Sequence, residues 1–398
     1  MSRNVIQFYT PQDVPKTHYL DNRVYWDEQL FREEQDKIFS KVWKFVCHES
    51  ELPEIYDYRT ASVANTSLVL VRGKDRKVRA FVNACSHRGI EIVRQPRGNA
   101  RLLECIFHRW TYDPTTGELT GAPRKEAYEQ CSFDLKKCGL REIRTESYLG
   151  LVFVNLDDSA ISLADFIGKG LELQEEILGT SELEVFDYYE QILDTNWKNW
   201  QETNMDLYHE FMHFANRRTG LAVKDYYLRP WRTYPHGHVA IERYRAEYSK
   251  YAGWQDRDQS IRLPGLDPNE FQLVNIFPDL AINARGTVIR IDSQIPISPG
   301  KTLVQYRGLG VKGDDARERR QRVRDYTSIW GPFGTNLAED TLATSLHARS
   351  IGGGKVPFTY LTREEGGMTQ DDLGMRSFYR EWERLMGRMA SAPIEEGR

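Results

Sequence analysis

Apolar and polar positions recur with two different periods along this chain, and the switches between them mark out its parts. From Asp27 to Val46, "DEQLFREEQDKIFSKVWKFV" sets Leu30, Phe31, Ile38 and Phe39 at helical spacing among charges. That spacing predicts an amphipathic helix running into a strand. From about Val46 to Leu156 the texture becomes short β-rich runs such as "SLVLVRG", "VRAFVNAC" and "GLVFVNLDD". Turn signals, "GKD", "PRGN" and "PTTGE", separate them, which predicts a small all-β domain. Around "DDSAISLADFIGKGLELQEEIL" the pattern turns helical, so a boundary is expected near residue 160. Beyond it, long strand patterns ("HGHVAIERYRAEY", "NEFQLVNIF", "GTVIRIDSQIPI", "KTLVQYRGLGV") mix with helices. One helix is expected over "NWKNWQETNMDLYHEFMHF", another over "DDARERRQRVRDYTSIW" and a last over "MRSFYREWERLMGRM", where Phe378, Trp382 and Leu385 share a face. The expected organisation is α+β: an N-terminal arm and helix (1–40), a β domain (41–160) and a larger mixed domain (161–398).

Composition changes this picture only by exclusion. A net charge of -4 over 398 residues gives no basic face for nucleic acid and no attraction to an anionic membrane. The stretch "MSRNVIQFYTPQDVPKTHYL" lacks an apolar core of signal-peptide length, and no later run is long enough to span a bilayer. A cytoplasmic protein is the expectation. Five cysteines, at 47, 85, 105, 131 and 138, then read as reduced thiols or metal ligands. Cys47, Cys131 and Cys138 are read as packing thiols.

The remaining two cysteines stand in a pattern. "CSHRG" sets Cys85 one residue before His87, and "CIFH" sets Cys105 two residues before His108. Each loop offers one thiolate and one imidazole, and Gly89 permits a tight turn after the first pair. A mononuclear zinc site would use all four, although its usual spacing is C-x2-4-C with H-x3-5-H. The other use is a [2Fe–2S] cluster with both cysteines on one iron and both histidines on the other, a one-electron relay of raised potential. Here "CSHRG" followed by "CIFHRWTYDPTTGEL" resembles the Rieske motif of ring-hydroxylating oxygenase α subunits, with the Trp, Tyr-Asp and Gly-x-Leu also matching. Arg109 departs from it, since the family often has Gly or Ala there.

A second constellation reads differently at first sight. "DLYHEFMH" contains His209-Glu210-Phe211-Met212-His213, literally H-E-x-x-H, the zinc-protease signature. On a continuous helix Asp206, His209 and His213 fall on one face, so the two imidazoles chelate one ion and the carboxylate orients one of them. A protease needs more. Asn216 and Thr219 occupy the positions where a metzincin would continue, the downstream segment reads as loop and strand, and Glu210 is rotated about 100° off the ligand face. The arrangement suited to redox chemistry is the 2-His-1-carboxylate triad, whose carboxylate comes from elsewhere in the chain. Asp340 in "GPFGTNLAEDTLATS" is the candidate. Alone it reads as a helix-start acid favouring its own macrodipole. The resemblance assigns it to iron, because family members carry G-P-x-G followed by an acidic pair whose second member is the ligand. Glu339 is the lesser choice.

The resemblance covers nearly the whole chain, including "KVWKFVCHESELP" and "RSFYREW". It implies a Rieske domain plus a catalytic domain of antiparallel sheet flanked by helices, of the helix-grip (START-like) kind. It further implies one [2Fe–2S] cluster, one mononuclear Fe(II), and O2 as co-substrate. Electrons would come from NAD(P)H through a partner reductase, directly or through a ferredoxin, since the chain has no nucleotide-binding Gly-rich motif. The implied assembly is a ring of three α subunits, α3 or, with a small β subunit, α3β3. Asp206 would bridge His108 of the neighbouring subunit and its own His209. Aromatic hydroxylation is the chemistry implied. Met205, Leu207, Phe211 and Leu342 are expected to line the pocket. Arg290 (or Arg285) is the candidate to hold an aromatic acid, while Asp292 on the same strand face would favour an amine. His347, seven residues after Asp340, is read either as a group standing behind the iron ligands or, as the main expectation, as an exposed histidine. The spacing of three residues between His209 and His213, where the family commonly has four, keeps a monooxygenase of small aliphatic substrates (a sulfonate, or an N- or O-methyl compound) as the alternative. A zinc hydrolase is the remote one. Glu202 replaces an amide found in many relatives.

Overall fold

The structure is a computed structural model and describes residues 11–129, 133–215, 227–250 and 254–394, so Cys131, Asn216 and Thr219 lie outside it. The chain divides into two compact units: Gln35–Phe166 with Leu183–Val185, and the residues up to Glu34 with Ile167–Glu182 and Phe186 onward.

The first unit is built on a seven-stranded antiparallel sheet. Its strands are β1 (Lys44–His48), β2 (Asp57–Val63), β3 (Thr66–Arg72), β4 (Val78–Val82), β5 (Arg97–Asn99), β9 (Glu142–Tyr148) and β10 (Leu151–Asn155), in the order β1-β10-β9-β4-β3-β2-β5. Period-two alternation in β3 explains its two cores. Val69 and Val71 point into a cluster with Cys85, Cys105, Trp110 and Tyr112. Leu68 and Leu70 point the other way, into a cluster with Cys47, Ile143 and Val152. A smaller sheet of β6 (Leu103–Glu104), β7 (Thr111–Tyr112) and β8 (Leu119–Gly121) carries the second Cys/His loop.

Another seven-stranded antiparallel sheet lies in the second unit, apart from the first three residues of its edge strand: β11 (Leu183–Leu193), β12 (Trp231–Thr233), β13 (Val239–Arg245), β14 (Glu270–Ile276), β15 (Leu280–Arg285), β16 (Val288–Ser298) and β17 (Lys301–Val311). Their order is β11-β17-β16-β15-β14-β13-β12. The periodicity of the sequence predicts neither β11, β12 nor β15. Every residue of β15 is buried, so this central strand is enclosed on both faces, and a strand of that kind shows no alternation.

The N-terminal amphipathic stretch forms α1 (Glu28–Glu34) and a π-helical turn, Gln35–Phe39, with Leu30, Phe31, Ile38 and Phe39 all buried. Glu34 is buried too. Its carboxylate accepts from Lys198 Nζ at 2.6 Å, Trp382 Nε1 at 2.7 Å and Trp197 Nε1 at 2.8 Å, so a fully desolvated ion pair is completed by two indoles.

The expected helix over residues 196–214 is broken. Only α2 (Trp197–Glu202) is α-helical. A 3-10 turn, Leu207–Met212, follows, and His213 sits beyond it in extended backbone. The interruption has a local cause. Thr203 Oγ1 donates to the Trp200 carbonyl, and the Asp206 carboxylate accepts from Tyr208 N–H at 2.9 Å, so side chains compete for backbone partners. The common helical face expected for Asp206, His209 and His213 is therefore absent.

Helix α3 (Ala316–Trp330) opens on a capping box between Asp315 and Glu318. The "GPFG" stretch then reverses the chain into α4 (Leu337–Ile351). A Cβ on Gly331 would lie 2.6 Å from the Thr327 carbonyl, and one on Gly334 2.4 Å from that of Ile329. Both glycines are thus set by close backbone approach. The last helix, α5 (Leu373–Met386), buries Phe378, Tyr379, Trp382 and Met386, with Leu385 only half-buried at the edge of that face. No helix among the described residues is long and apolar enough to cross a membrane.

Candidate active site and metal centres

The two Cys/His loops close in the same way. Cys85 N–H donates to the Ile90 carbonyl and Gly89 N–H to the Cys85 carbonyl. Cys105 N–H donates to the Trp110 carbonyl and Arg109 N–H to the Cys105 carbonyl. The fourth residue after each cysteine is left-handed, Gly89 at φ 72° and Arg109 at φ 60°. Arg109 thus occupies a glycine-like corner, steadied by Glu104 at 2.9 Å. Both sulfurs are buried, and Cys85 Sγ lies 3.0 Å from the Tyr112 hydroxyl. The imidazoles stand nearer the surface, 4.7 Å apart between ring centres, with His87 stacked on Trp110. Burial and the facing His108 ring push the His87 pKa down, which favours the neutral ring that binds metal. One thiolate and one imidazole per loop, with the two cysteines buried and the two rings facing each other nearer the surface, fit a binuclear cluster.

The second centre is tight. His209, His213 and Asp340 offer donor atoms that all lie within 4.8 Å of one another. Asp340 Oδ1 is 3.4 Å from His209 Nε2 and 3.5 Å from His213 Nε2, yet it is buried and has no hydrogen-bond partner. An orphaned carboxylate oxygen facing two imidazole nitrogens is what an absent cation would satisfy. The other ring nitrogens are fixed from behind: His213 Nδ1 by Glu339 Oε2 at 2.7 Å, His209 Nδ1 by the Asp206 carbonyl. Both rings therefore turn Nε2 inward. Burial alone would lower the His209 pKa, but Asp340 and Asp206 together hold it up at about 9, so the site favours positive charge. The residues fit a mononuclear metal. Glu339 serves as an orienting group, and the Asp206 carboxylate caps the turn while its carbonyl holds His209.

A cavity of about 370 Å³ opens on this triad. Leu207, Phe211, Arg285 and Arg290 line it, as do Asn204, Glu210, Tyr227, Tyr248, Phe271, Leu273, Asn283 and Trp330. Three expected lining residues do not. Met205 is fully buried against Gly374, and Leu342 is exposed on the outer face of α4. Asp292 is buried behind the cavity wall, where Arg290 Nε donates to it at 2.9 Å. His347 is half-buried, edge-on to Tyr25, with Nδ1 unpartnered. The asparagines and aromatic walls escaped the sequence reading. The available signal was the shared parity of Asn283 with Arg285 and of Phe271 with Leu273 along their strands.

Comparison with known proteins agrees with this chemistry. Residues 42–139 match the model of the Rieske [2Fe-2S] domain, and residues 180–388 that of the ring hydroxylating alpha subunit (catalytic domain). The chain is 77% identical to the 2-aminobenzenesulfonate 2,3-dioxygenase subunit alpha of an Alcaligenes species, over 98% of this chain and 99% of that one. It is 38% identical to the methanesulfonate monooxygenase hydroxylase subunit alpha of Methylosulfonomonas methylovora, over 98% and 97%. Naphthalene 1,2-dioxygenase from a Rhodococcus species, solved with indole bound, has the same fold, with a TM-score of 0.81 at 24% identity over 95% of each chain.

Proposed function

The chain belongs to the ring-hydroxylating oxygenase α subunits, and from that premise we propose that its substrate is a small aromatic sulfonate hydroxylated beside the His209–His213–Asp340 triad. The observation that carries this reading is the 77% identity, end to end, with a 2-aminobenzenesulfonate dioxygenase subunit. When bound, the cluster supplies single electrons and the iron supplies O2 activation, so that ring, O2, two electrons and two protons yield a ring bearing two hydroxyls.

The chain's own residues do the positioning. Cys85 and Cys105 would hold one cluster iron, and His87 and His108 the other. Glu339 and the Asp206 carbonyl orient the two triad imidazoles. The aromatic walls, Tyr248, Phe271 and Trp330, shape the cavity for a flat ring and exclude water. Exposed Ile90, Leu102, Ile106 and Phe107 form an apolar rim beside the cluster histidines, which supports docking of another chain there. In this reading Asp206 links the docked His108 of a neighbouring subunit to its own triad in an α3 or α3β3 assembly. Electrons from NAD(P)H reach it through a reductase, with or without a ferredoxin, in the cytoplasm.

A second reading, monooxygenation of a small aliphatic sulfonate, has the 38% identical methanesulfonate enzyme in its favour. The test is performed on anaerobically purified holoenzyme with a competent reductase. About three irons and about two acid-labile sulfides per chain are expected, with O2 uptake matched to product from 2-aminobenzenesulfonate. Turnover of methanesulfonate alone would favour the second reading, and zinc without sulfide would end both. Asp206→Ala should lower turnover about 100-fold or more with both metal centres filled. Loss of the mononuclear iron would instead make Asp206 a ligand.

A further inference from the structure

Two guanidinium groups reach the cavity from adjacent strands, and they are in opposite electrostatic states. Arg290, on β16, is spent: its Nε donates to Asp292 at 2.9 Å and its Nη2 to Asn204 Oδ1 at 2.5 Å, inside the protein. Arg285, at the end of β15, is equally enclosed, only 9% exposed, but its Nε and Nη1 have no hydrogen-bond partner. Among the described residues it has no ion pair. Its surroundings are rings: Phe271 at 4.9 Å, Trp330 at 5.1 Å and Tyr248 at 5.6 Å from Cζ. On the Tyr248 ring there is even a second guanidinium, that of Arg257, at 5.3 Å. Aromatic faces recover part of the cost of a buried cation, and a counter-charge recovers far more. Arg257 has Asp325 and Asp267 as charged neighbours, whereas no carboxylate pairs with Arg285 among the described residues.

We infer that Arg285 is the anion anchor of the cavity, the residue that selects a sulfonate-bearing ring and sets its distance from the triad. This rests on the aromatic-sulfonate reading above and adds to it which group does the selecting. The fork of an arginine fits two oxygens of such a headgroup at once. Placement along the sheet is consistent. Asn283 lies opposite Arg290 in the ladder, and Arg285 follows two residues later on the same face, about 7 Å further along the strand. Arg290 is tied to Asn204, in the segment that leads into the triad turn. An anion at Arg285 therefore leaves the ring between Phe271, Leu273 and Trp330, with its far edge toward His209 and His213.

The test compares benzenesulfonate with neutral benzenesulfonamide, titrated calorimetrically into anaerobic holoenzyme. The unaltered protein should prefer the sulfonate, and Arg285→Gln should reduce that preference about 10- to 100-fold. Arg285→Lys, which keeps the charge without the fork, should fall between, and it preserves the test if the glutamine variant does not fold. The KM for 2-aminobenzenesulfonate should rise in the same order. An unchanged preference in Arg285→Gln, an equal loss of both probes, or no preference in the unaltered protein would overturn the inference. An Arg285-dependent preference in an enzyme that hydroxylates no arenesulfonate would keep the anchor and sink the functional reading. Arenesulfonate turnover untouched by either substitution would do the reverse.

Discussion

The cluster loops and the iron triad solve the same problem, holding a metal, with opposite constructions. The loops keep each Cys/His pair inside one short turn of one small domain, closed by two backbone hydrogen bonds apiece. The triad draws on a 3-10 turn and a distant helix, and the nearest bridge between them, His213 to Glu339, joins residues 126 apart in sequence. Local construction makes the loops depend on turn chemistry. Remote construction makes the triad depend on the buried polar framework that registers α2 and its following turn against α4. The consequence is that damage to each centre should stay in that centre.

The largest effects test this directly. Cys105→Ser should abolish turnover and remove the acid-labile sulfide while leaving one iron at the triad. Asp340→Asn should abolish turnover equally, yet retain about two irons and about two sulfides per chain. Iron and sulfide analysis of the two variants distinguishes them, and loss of both centres in either would break the comparison.

A smaller effect concerns the framework behind the triad. Glu202, fully enclosed, accepts from the Tyr25 hydroxyl at 2.8 Å and from the Tyr379 hydroxyl, with Lys198 and Asp206 as its charged neighbours. Burial pushes its pKa up to about 7, against the favourable hydrogen bonds and Lys198. A carboxyl whose pKa is raised on folding stabilises the fold fully below its unfolded value, near 4.5. That contribution is lost as pH rises through about 7, an amount of roughly 3 kcal/mol. Thermal melts followed between pH 5 and pH 8 should show the catalytic unit losing stability while the visible spectrum of the cluster melts independently. Glu202→Gln, which restores the amide of many relatives, should flatten that slope. An unchanged slope would remove Glu202 from the framework.

The smallest effect belongs to the loops. Arg109→Gly relieves a left-handed arginine, worth about 1–2 kcal/mol, but adds chain entropy to the unfolded state and frees Glu104, so stability should shift by less than about 1 kcal/mol. Sulfide content should not change. A cluster lost in this variant would mean that the Arg109 side chain, not the turn, holds the loop.

How much of this was legible in the sequence follows from the same contrast. Cys85, His87, Cys105 and His108 stood out as candidate ligands because each pair lies within a loop of a few residues, and the alternating "SLVLVRG" betrayed a strand between two cores. The H-E-x-x-H spacing was visible, but its meaning was not. A regular helix was the default for His209 and His213, and only the folded chain shows a broken one, with Glu339 and the Asp206 carbonyl turning both rings inward. The linear pattern sets Asp292 two residues after Arg290 on one strand face, but it does not record whether either arginine is buried. Both sit on strands in the fold, although the sequence pattern predicts only the strand of Arg290. The sequence by itself determined the candidate ligand set, the strand-rich first domain and the family. Only the tertiary structure decided which arginine is neutralised, because Asp292 and Asn204 hydrogen-bond Arg290 while Nε and Nη1 of Arg285 have no partner among the described residues. Burial and pairing depend on contacts between segments remote in the chain, and no local period encodes them.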